Sequence, residues 1–426
     1  MQSFSMRFLA SEYMPKRFWV CALLWSCLAA TFCFCMAKMS SAQEAPSPSE
    51  SPAQIPAAPN EGAQSVPAPS SEPRQDAKSE TAETNHDKNE KHHRGSFVIA
   101  PLPIVSPAIG SGLIPVAGYI FPFQMKDKTS PPSVVGIAGL ITNNDSRGFG
   151  VGADIYLKKA TYELKSLYAR GNLDYDLYGV GYENGNAGLK LPLEQTGQLF
   201  FVEFLRRIPW KFFVGGRFMA GNSFITIKPT SSQTPPIPPD TGLHTNLRAL
   251  GVALVRDSRP NRFYPVRGSL IDFTGDFFAN ALGSKYSFQS YHFTFNKYFS
   301  LGDKQVLAYN FFACGTGGEP PFYGNCIYGA NNELRGYTAG RYLDRYMLAT
   351  QLEYRLVLRW HLGLVGFGGI GAVAPSASEF RSDQTLPAGG TGLRFLLSKK
   401  YHVNLRTDFA WGKDNFTWSM GVGEAF

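Results

Sequence analysis

From Phe97 onward the chain alternates apolar and polar positions with a period of two. The clearest run is Met347 to Trp360. Leu348, Thr350, Leu352, Tyr354, Leu356, Leu358 and Trp360 fall on one face; Gln351, Glu353, Arg355 and Arg359 fall on the other. A helix would scatter that apolar set around its circumference, so the pattern predicts a strand. The same alternation runs through Phe149, Val151, Ala153, Ile155 and Leu157, and through Ile271 and Phe273 to Phe277. It returns in Val403, Leu405, Phe409 and Trp411 against Asn404, Arg406 and Asp408. Carried along the chain, it gives about sixteen segments of about ten residues, the length that crosses a bilayer as a tilted strand.

In this reading the first strand covers about Gly112 to Phe121, and Tyr162 to Gly181 divides into two strands. The long gaps, Ile227 to Thr241 and Thr316 to Asp344, then follow odd strands. Short turns at Asn143 to Ser146, Leu301 to Asp303 and Ser398 to Lys400 follow even ones. Long loops at one end and short turns at the other are what a membrane barrel shows. Asp257 to Arg267 is the exception, long on the short-turn side. The fold class expected is therefore all-β, a transmembrane antiparallel barrel. A soluble sandwich is the rival, but it usually uses shorter strands. Aromatic residues near strand ends (Tyr119, Phe121, Phe123, Trp210, Trp360, Trp411 and Trp418) favour membrane interfaces.

Composition sharpens this picture. Charged residues make up 17% of the chain, against about 25% in an ordinary soluble protein. Aromatics reach 14%, yet the mean hydropathy is −0.16, too low for a bundle of hydrophobic helices. The net charge of +8 is spread rather than clustered, which argues against nucleic acid as a partner.

The first residues read differently. Lys16-Arg17 precede the uncharged run Phe18 to Met36, and small residues follow through Ala42. That order is a secretory signal over residues 1–42, cleaved near Ala42, with an uncleaved anchor as the alternative. Residues 43–95 are rich in Pro, Ser, Ala and Glu and too polar to bury a core, so they read as a disordered linker. His86, His92 and His93 within it read as solvated rather than metal-binding. Cys21, Cys27, Cys33 and Cys35 lie in the signal, leaving Cys314 and Cys326 across a Gly/Pro-rich stretch. In an exported protein such a pair reads as a disulfide, with two free thiols as the alternative.

Particular residues then carry a family resemblance. Asp257-Ser258-Arg259, Asn261, Phe263-Tyr264-Pro265 and Arg267-Gly268-Ser269 resemble the D-x-R-x-N-x-F-x-P-x-R-G-S signature of the BamA/TamA superfamily (the bacterial surface antigen domain). Arg335-Gly336-Tyr337 is similar to the R-G-[YF] tip of that family's long inward-folded loop. Phe97 to Gly110 looks like the lead-in to its first strand. The last strand, read as ending in Phe426 with Trp418 behind it, is similar to the terminal signal by which new barrels are recognised for assembly. The resemblance covers residues 96–426 and implies an outer-membrane barrel, with the linker in the periplasm. It further implies a role in inserting, assembling or translocating outer-membrane protein or lipid. Outer-membrane lipids, client proteins and the barrel assembly machinery are the partners implied.

Two departures qualify it. The linker is too short and polar for the periplasmic POTRA repeats of insertase members. The family's lumenal Asp, which pairs with the loop arginine in an F-x-D-x-G segment, is replaced here by Gly369 in Phe367-Gly368-Gly369-Ile370-Gly371. Glu353 and Asp408 are the inward-facing substitutes, and the sequence does not choose between them. Folded inward, Arg335 could pair with a wall carboxylate and fix the loop as a plug; a solvated arginine beside a turn glycine is the plainer alternative. Asp257, Arg259, Arg267 and Gly268 are expected to organise the turn before the ninth strand. Pro115 in the first strand and Gly421 and Gly423 in the last mark a seam that could part. No catalytic grouping, metal site or cofactor motif is found, and Glu203 and Asp276 read as isolated lumen lining. A passive pore or a structural surface protein remains the alternative function.

Overall fold

The computed structural model describes residues 95–426 apart from 107–109, 125–129, 189, 229–241, 330–332 and 360. The expected signal, the linker residues 43–94 with their histidines, and Trp360 lie outside the described residues.

The chain folds first through β1 (Ser96–Ser106), β2 (Gly110–Phe121), β3 (Ser133–Thr142), β4 (Arg147–Leu157) and β5 (Tyr162–Leu177). A short helix α1 (Tyr182–Ala187) leads to β6 (Leu191–Arg207), β7 (Phe212–Ile227), β8 (Leu243–Asp257) and β9 (Gly268–Phe278). There follow β10 (Phe288–Gly302), β11 (Gln305–Gly318) and two short strands, β12 (Cys326–Ile327) and β13 (Leu343–Asp344). The chain closes with β14 (Tyr346–Val357), β15 (Leu362–Ala374), β16 (Leu386–Ser398), β17 (Val403–Gly412) and β18 (Asn415–Val422). All but β12 and β13 join one 16-stranded antiparallel sheet in chain order. Its ends, β1 and β18, lie side by side, so the sheet curls into a barrel.

Burial is inverted relative to a soluble protein. Along β14, Met347, Ala349, Gln351, Glu353 and Arg355 are buried while Leu348, Leu352 and Tyr354 are exposed. Phe97, Ile137, Leu250, Val252 and Trp411 are each more than half exposed, or half in the case of Val252. Oily residues outside and charges inside are the arrangement of a wall facing lipid around a polar lumen.

The strand number matches the expectation, but through two compensating differences. The supposed lead-in is itself β1, paired with β2 along its whole length from Ser96↔Ile120 to Ser106↔Gly110. Conversely, Tyr162 to Gly181 is not divided: β5 pairs with β6 continuously from Tyr162↔Arg206 to Leu177↔Leu191. Strand positions therefore agree from β6 onward. Before that the parity shifts, and the Asn143 to Ser146 turn follows odd β3, at the long-loop end. Pro115 accordingly lies in β2, opposite Pro101, and not at the seam.

The last strand also stops earlier than read. β18 ends at Val422, and Gly423, at φ 85°, turns the following residues into the lumen. Glu424 and Phe426 are buried there, Phe426 against Tyr298 and Ala308. Gly421 has a different use, because a Cβ at that position would come within 2.7 Å of Arg406 Nε.

Candidate functional site: a plugging loop held by a buried ion network

The described residues from Glu319 to Arg345 fold back into the barrel mouth. At its entrance Cys326 is bonded to Cys314 of β11, with Cα atoms 5.9 Å apart; the expected disulfide is present and ties loop to wall. β12 and β13 then pair through Cys326↔Asp344 and Ile327↔Leu343. Tyr328, Tyr337 and Tyr342 meet edge to face, with ring centroids 5.2 to 6.4 Å apart. Their hydroxyls find backbone partners where the wall allows: Tyr328 donates to the Leu386 carbonyl at 3.1 Å and Tyr337 to that of Pro387 at 2.6 Å. Burial pushes the Tyr337 phenol up to about 12. The β5–β6 connection covers this cluster from above, with Tyr182 stacked on Tyr342 and Lys413 Nζ donating to the Tyr182 hydroxyl.

Arg335 stands at the tip, 6% exposed. Its Nη1 donates to Asp408 Oδ2 at 3.0 Å and its Nη2 to Glu353 Oε2 at 2.5 Å. Nε and Nη2 also converge on Gln351 Oε1, and the guanidinium lies 3.4 Å from the Phe367 ring centroid. Both sequence candidates, Glu353 and Asp408, are thus partners at once. The register explains why: residues two apart on β14 point the same way, which stacks Gln351, Glu353 and Arg355 into one inward row.

The network extends well past the residues singled out from sequence. Arg394 donates to Asp408 Oδ1 at 2.7 Å and to Glu424 Oε2 at 2.8 Å. Arg355 donates to Glu353 Oε1 at 2.6 Å and to the Phe426 carbonyl at 2.9 Å. Asn404 Nδ2 reaches Glu424 Oε1 at 2.7 Å, and Arg406 Nη1 lies 3.8 Å from Asp408. Loop tip, wall strands and terminal segment share one set of charges, because each buried ion requires a partner where water is excluded. Alternation had placed Arg355, Asn404 and Arg406 on the polar face without giving them a role, and the same signal on β16 could have found Arg394.

Gly369 also acquires a reason. A Cβ there would collide with the Thr350 carbonyl and come within 2.7 Å of Leu334 Cδ1. Leu334 of the loop, fully buried, fills the space an aspartate side chain would need. Gly371 and Gly412 likewise make room for Tyr328 and Tyr337.

The turn after β8 forms a second inward fold at the opposite end. The Arg259 amide donates to Asp257 Oδ1 at 2.8 Å, and Arg259 Nη1 donates to the Tyr298 hydroxyl at 3.1 Å. Arg259 and Arg355 both lie over the Tyr298 ring, each 5.6 Å from its centroid, so one aromatic joins this turn to the loop network. Gly268, at φ 95°, packs where a Cβ would meet the Ser258 carbonyl at 2.6 Å. Arg267 does not take part: it is exposed. Arg262, unremarked in the sequence, points inward instead and donates to the Tyr156 hydroxyl. Phe263 packs on Tyr401 and Tyr264 on His402. The length of this connection follows from its inward path.

Glu203 and Asp276 are not isolated. Cross-strand neighbours Asp154↔Lys165, Lys165↔Glu203 and Glu203↔Arg217 form a belt of alternating charge around β4 to β7. Lys165 lies 2.8 Å from Glu203, and Arg217 3.0 Å from Asp276. Gly251 sits between the last two, and a Cβ there would meet Arg217 Cγ at 2.7 Å.

The seam has its own character. Every other neighbouring pair in the sheet is joined by a hydrogen-bonded ladder, whereas among the described residues β1 and β18 end the sheet without one. Ala100 and Leu102 of β1 instead share an apolar cluster with Val422 of β18, Val403 and Phe263.

Comparison with known proteins bears on this architecture. Residues 228–426 match the Omp85 superfamily domain, a span from the loop before β8 to the terminal segment. Among solved structures the chain is similar to CdiB from Escherichia coli, at 9% identity and TM-score 0.54 over 77% of this chain and 62% of that one. It is similar to CdiB from Acinetobacter baumannii at 13% identity and TM-score 0.51, over 77% and 59%. BamA from Haemophilus ducreyi lacking POTRA domains 1–3 gives 15% identity and TM-score 0.49, over 78% and 70%. The chain thus spans about three-fifths of the length of each CdiB chain. At these identities the likeness is one of fold. No curated protein matches the chain.

Proposed function

We propose that this outer-membrane barrel, whose residues 228–426 carry the Omp85 superfamily domain, inserts, assembles or translocates outer-membrane protein or lipid. The observation that carries the reading is the seam. β1 and β18 present backbone edges without a shared ladder, and an unpaired strand edge is a template for another strand. Among the described residues no ladder joins the two edges, which share an apolar cluster through Ala100, Leu102 and Val422, so parting them breaks few backbone hydrogen bonds.

In this reading the short-turn end and the linker face the periplasm. The plugging loop closes the lumen while the seam provides the route. Trp418, opposite Phe409 in the register, stays on the outward row as part of an assembly signal, and Phe426 serves as an internal latch. A passive open pore fits less well, because Leu334, Arg335 and Tyr337 fill the mouth in buried positions.

Cysteine pairs stepped along β1 and β18 in a Cys314→Ser/Cys326→Ser background test this. An oxidised crosslink should abolish insertion of client barrels into vesicles, and reduction should restore it. Full insertion through a locked seam would sink the reading.

A further inference from the structure

The two ends of the barrel differ in charge. The turns after β4, β6, β10, β14 and β16 carry Lys158-Lys159, Lys211, Lys304, Arg359 and Lys399-Lys400, and Asp303 is the sole acid among their described residues. At the long-loop end acids and bases are mixed, as in Arg381–Asp383 and Lys190–Asp176.

The cations at the short-turn rim are interleaved with outward aromatics over β5 to β8. Lys158 Nζ lies 5.6 Å from the Tyr162 ring centroid, and Tyr162 stacks on Phe204 and pairs in register with Arg206. On the next strands Arg256 lies 5.7 Å from the Phe212 ring centroid, and its Nε donates to the Trp210 carbonyl at 3.4 Å. Trp210 itself is 83% exposed and held outward at φ 58°. Directly toward the middle of the wall, Phe204, Val214 and Val252 are exposed. The patch therefore offers cations at headgroup height, amphipathic rings at the interface, and an oily surface where acyl chains run.

We propose that this rim, centred on Lys158, Arg206, Trp210 and Arg256, is a binding surface for anionic glycerophospholipid headgroups. A lipid phosphate bearing a net negative charge meets a cation on each of three neighbouring elements of this rim, Lys158 before β5, Arg206 on β6 and Arg256 on β8. A zwitterionic lipid offers the same acyl chains but cancels much of the attraction. The surface lies away from both the loop network and the seam, so it serves anchoring and vertical registration of the barrel and does not depend on client insertion.

The test uses the full chain reconstituted into vesicles of phosphatidylcholine with a minor fraction of phosphatidylglycerol, and counts retained lipids by native mass spectrometry. The native chain should retain phosphatidylglycerol in excess of its bulk share, and the excess should fall as salt is raised. The combined K158Q, R206Q and R256Q variant should lose about tenfold or more of that preference, with unchanged heat-modifiable migration. The R206K/R256K variant should keep most of it. Should the combined variant fail to fold, the salt titration on the native chain decides. Equal retention of the two lipids, or a salt-insensitive excess, would overturn the proposal.

Discussion

The Arg335 guanidinium lies 3.4 Å from the centroid of the Phe367 ring, while its Nη2 donates to Glu353 at 2.5 Å. Two residues beyond Phe367 is Gly369, where the family resemblance expects an aspartate. The arginine keeps a lumenal position with different partners: a ring beneath it, Glu353 and Gln351 from β14, and Asp408 from β17. The carboxylates stand on β14 and β17 rather than on β15, and Leu334 of the loop fills the space beside Gly369.

Removing that arginine should loosen the plug. Arg335→Ala leaves Glu353 and Asp408 short of one shared cation in a buried site, a loss of about 3–5 kcal/mol for such pairs. The segment from Glu319 to Arg345 should become accessible to protease, and the folded band in SDS should convert at lower temperature. Arg335→Lys should recover only part, since a single ammonium cannot reproduce the forked contacts.

Restoring the expected carboxylate should harm rather than help. Gly369→Asp drives a side chain into Leu334 and the Thr350 carbonyl, and overpacking of this kind costs about 1–3 kcal/mol. Adding Leu334→Ala should relieve the part of the collision that falls on the loop, leaving the contact with the Thr350 carbonyl. The band-shift temperature of the double variant lying above that of Gly369→Asp alone would verify the shared volume.

The disulfide should stabilise the loop in its seated position. Reduction, or Cys314→Ser with Cys326→Ser, releases a tether whose sequence separation is 12, for which chain entropy gives about 3 kcal/mol. Hydrogen exchange should rise first in the described residues between Pro320 and Arg345, with the wall strands β3 to β7 unaffected.

His402 gives a pH signature at the short-turn end. Burial holds its pKa below the ordinary histidine value, the imidazole stacking on Tyr264 with 4.3 Å between centroids. The neutral ring is favoured in the fold, so this contribution is present above the ordinary histidine value. It is lost as pH falls through the depressed one. Exchange protection around Asn261 to Pro265 should weaken on acidification, and His402→Phe should remove that dependence.

Period-two alternation, scarce charge and abundant aromatics were enough to establish the barrel, because a lipid-facing wall imposes its signature on every strand independently. Strand number followed for the same reason, although β1 was read as a lead-in and β5 as two strands. Pro101 and Pro103 disguise the first. The second is 16 residues long, well beyond a membrane-spanning length. The candidacy of Arg335, Glu353 and Asp408 was legible from a motif and from inward phase.

Tertiary structure alone decided which of those groups meet. Phase says that a side chain enters the lumen, but not its height or which of the other walls it faces. Closure of the sheet brings β14, β16 and β17 around the loop tip, and brings residues 39 positions apart, Arg259 and Tyr298, into contact at the other end. Glu424 and Phe426 illustrate the limit best. Nothing in their local pattern distinguishes a strand that continues from one that turns inward at Gly423, because the difference lies in partners contributed by Arg394, Asn404 and Arg355. Such long-range pairing is set by the curvature of the whole wall, which no short stretch of residues encodes.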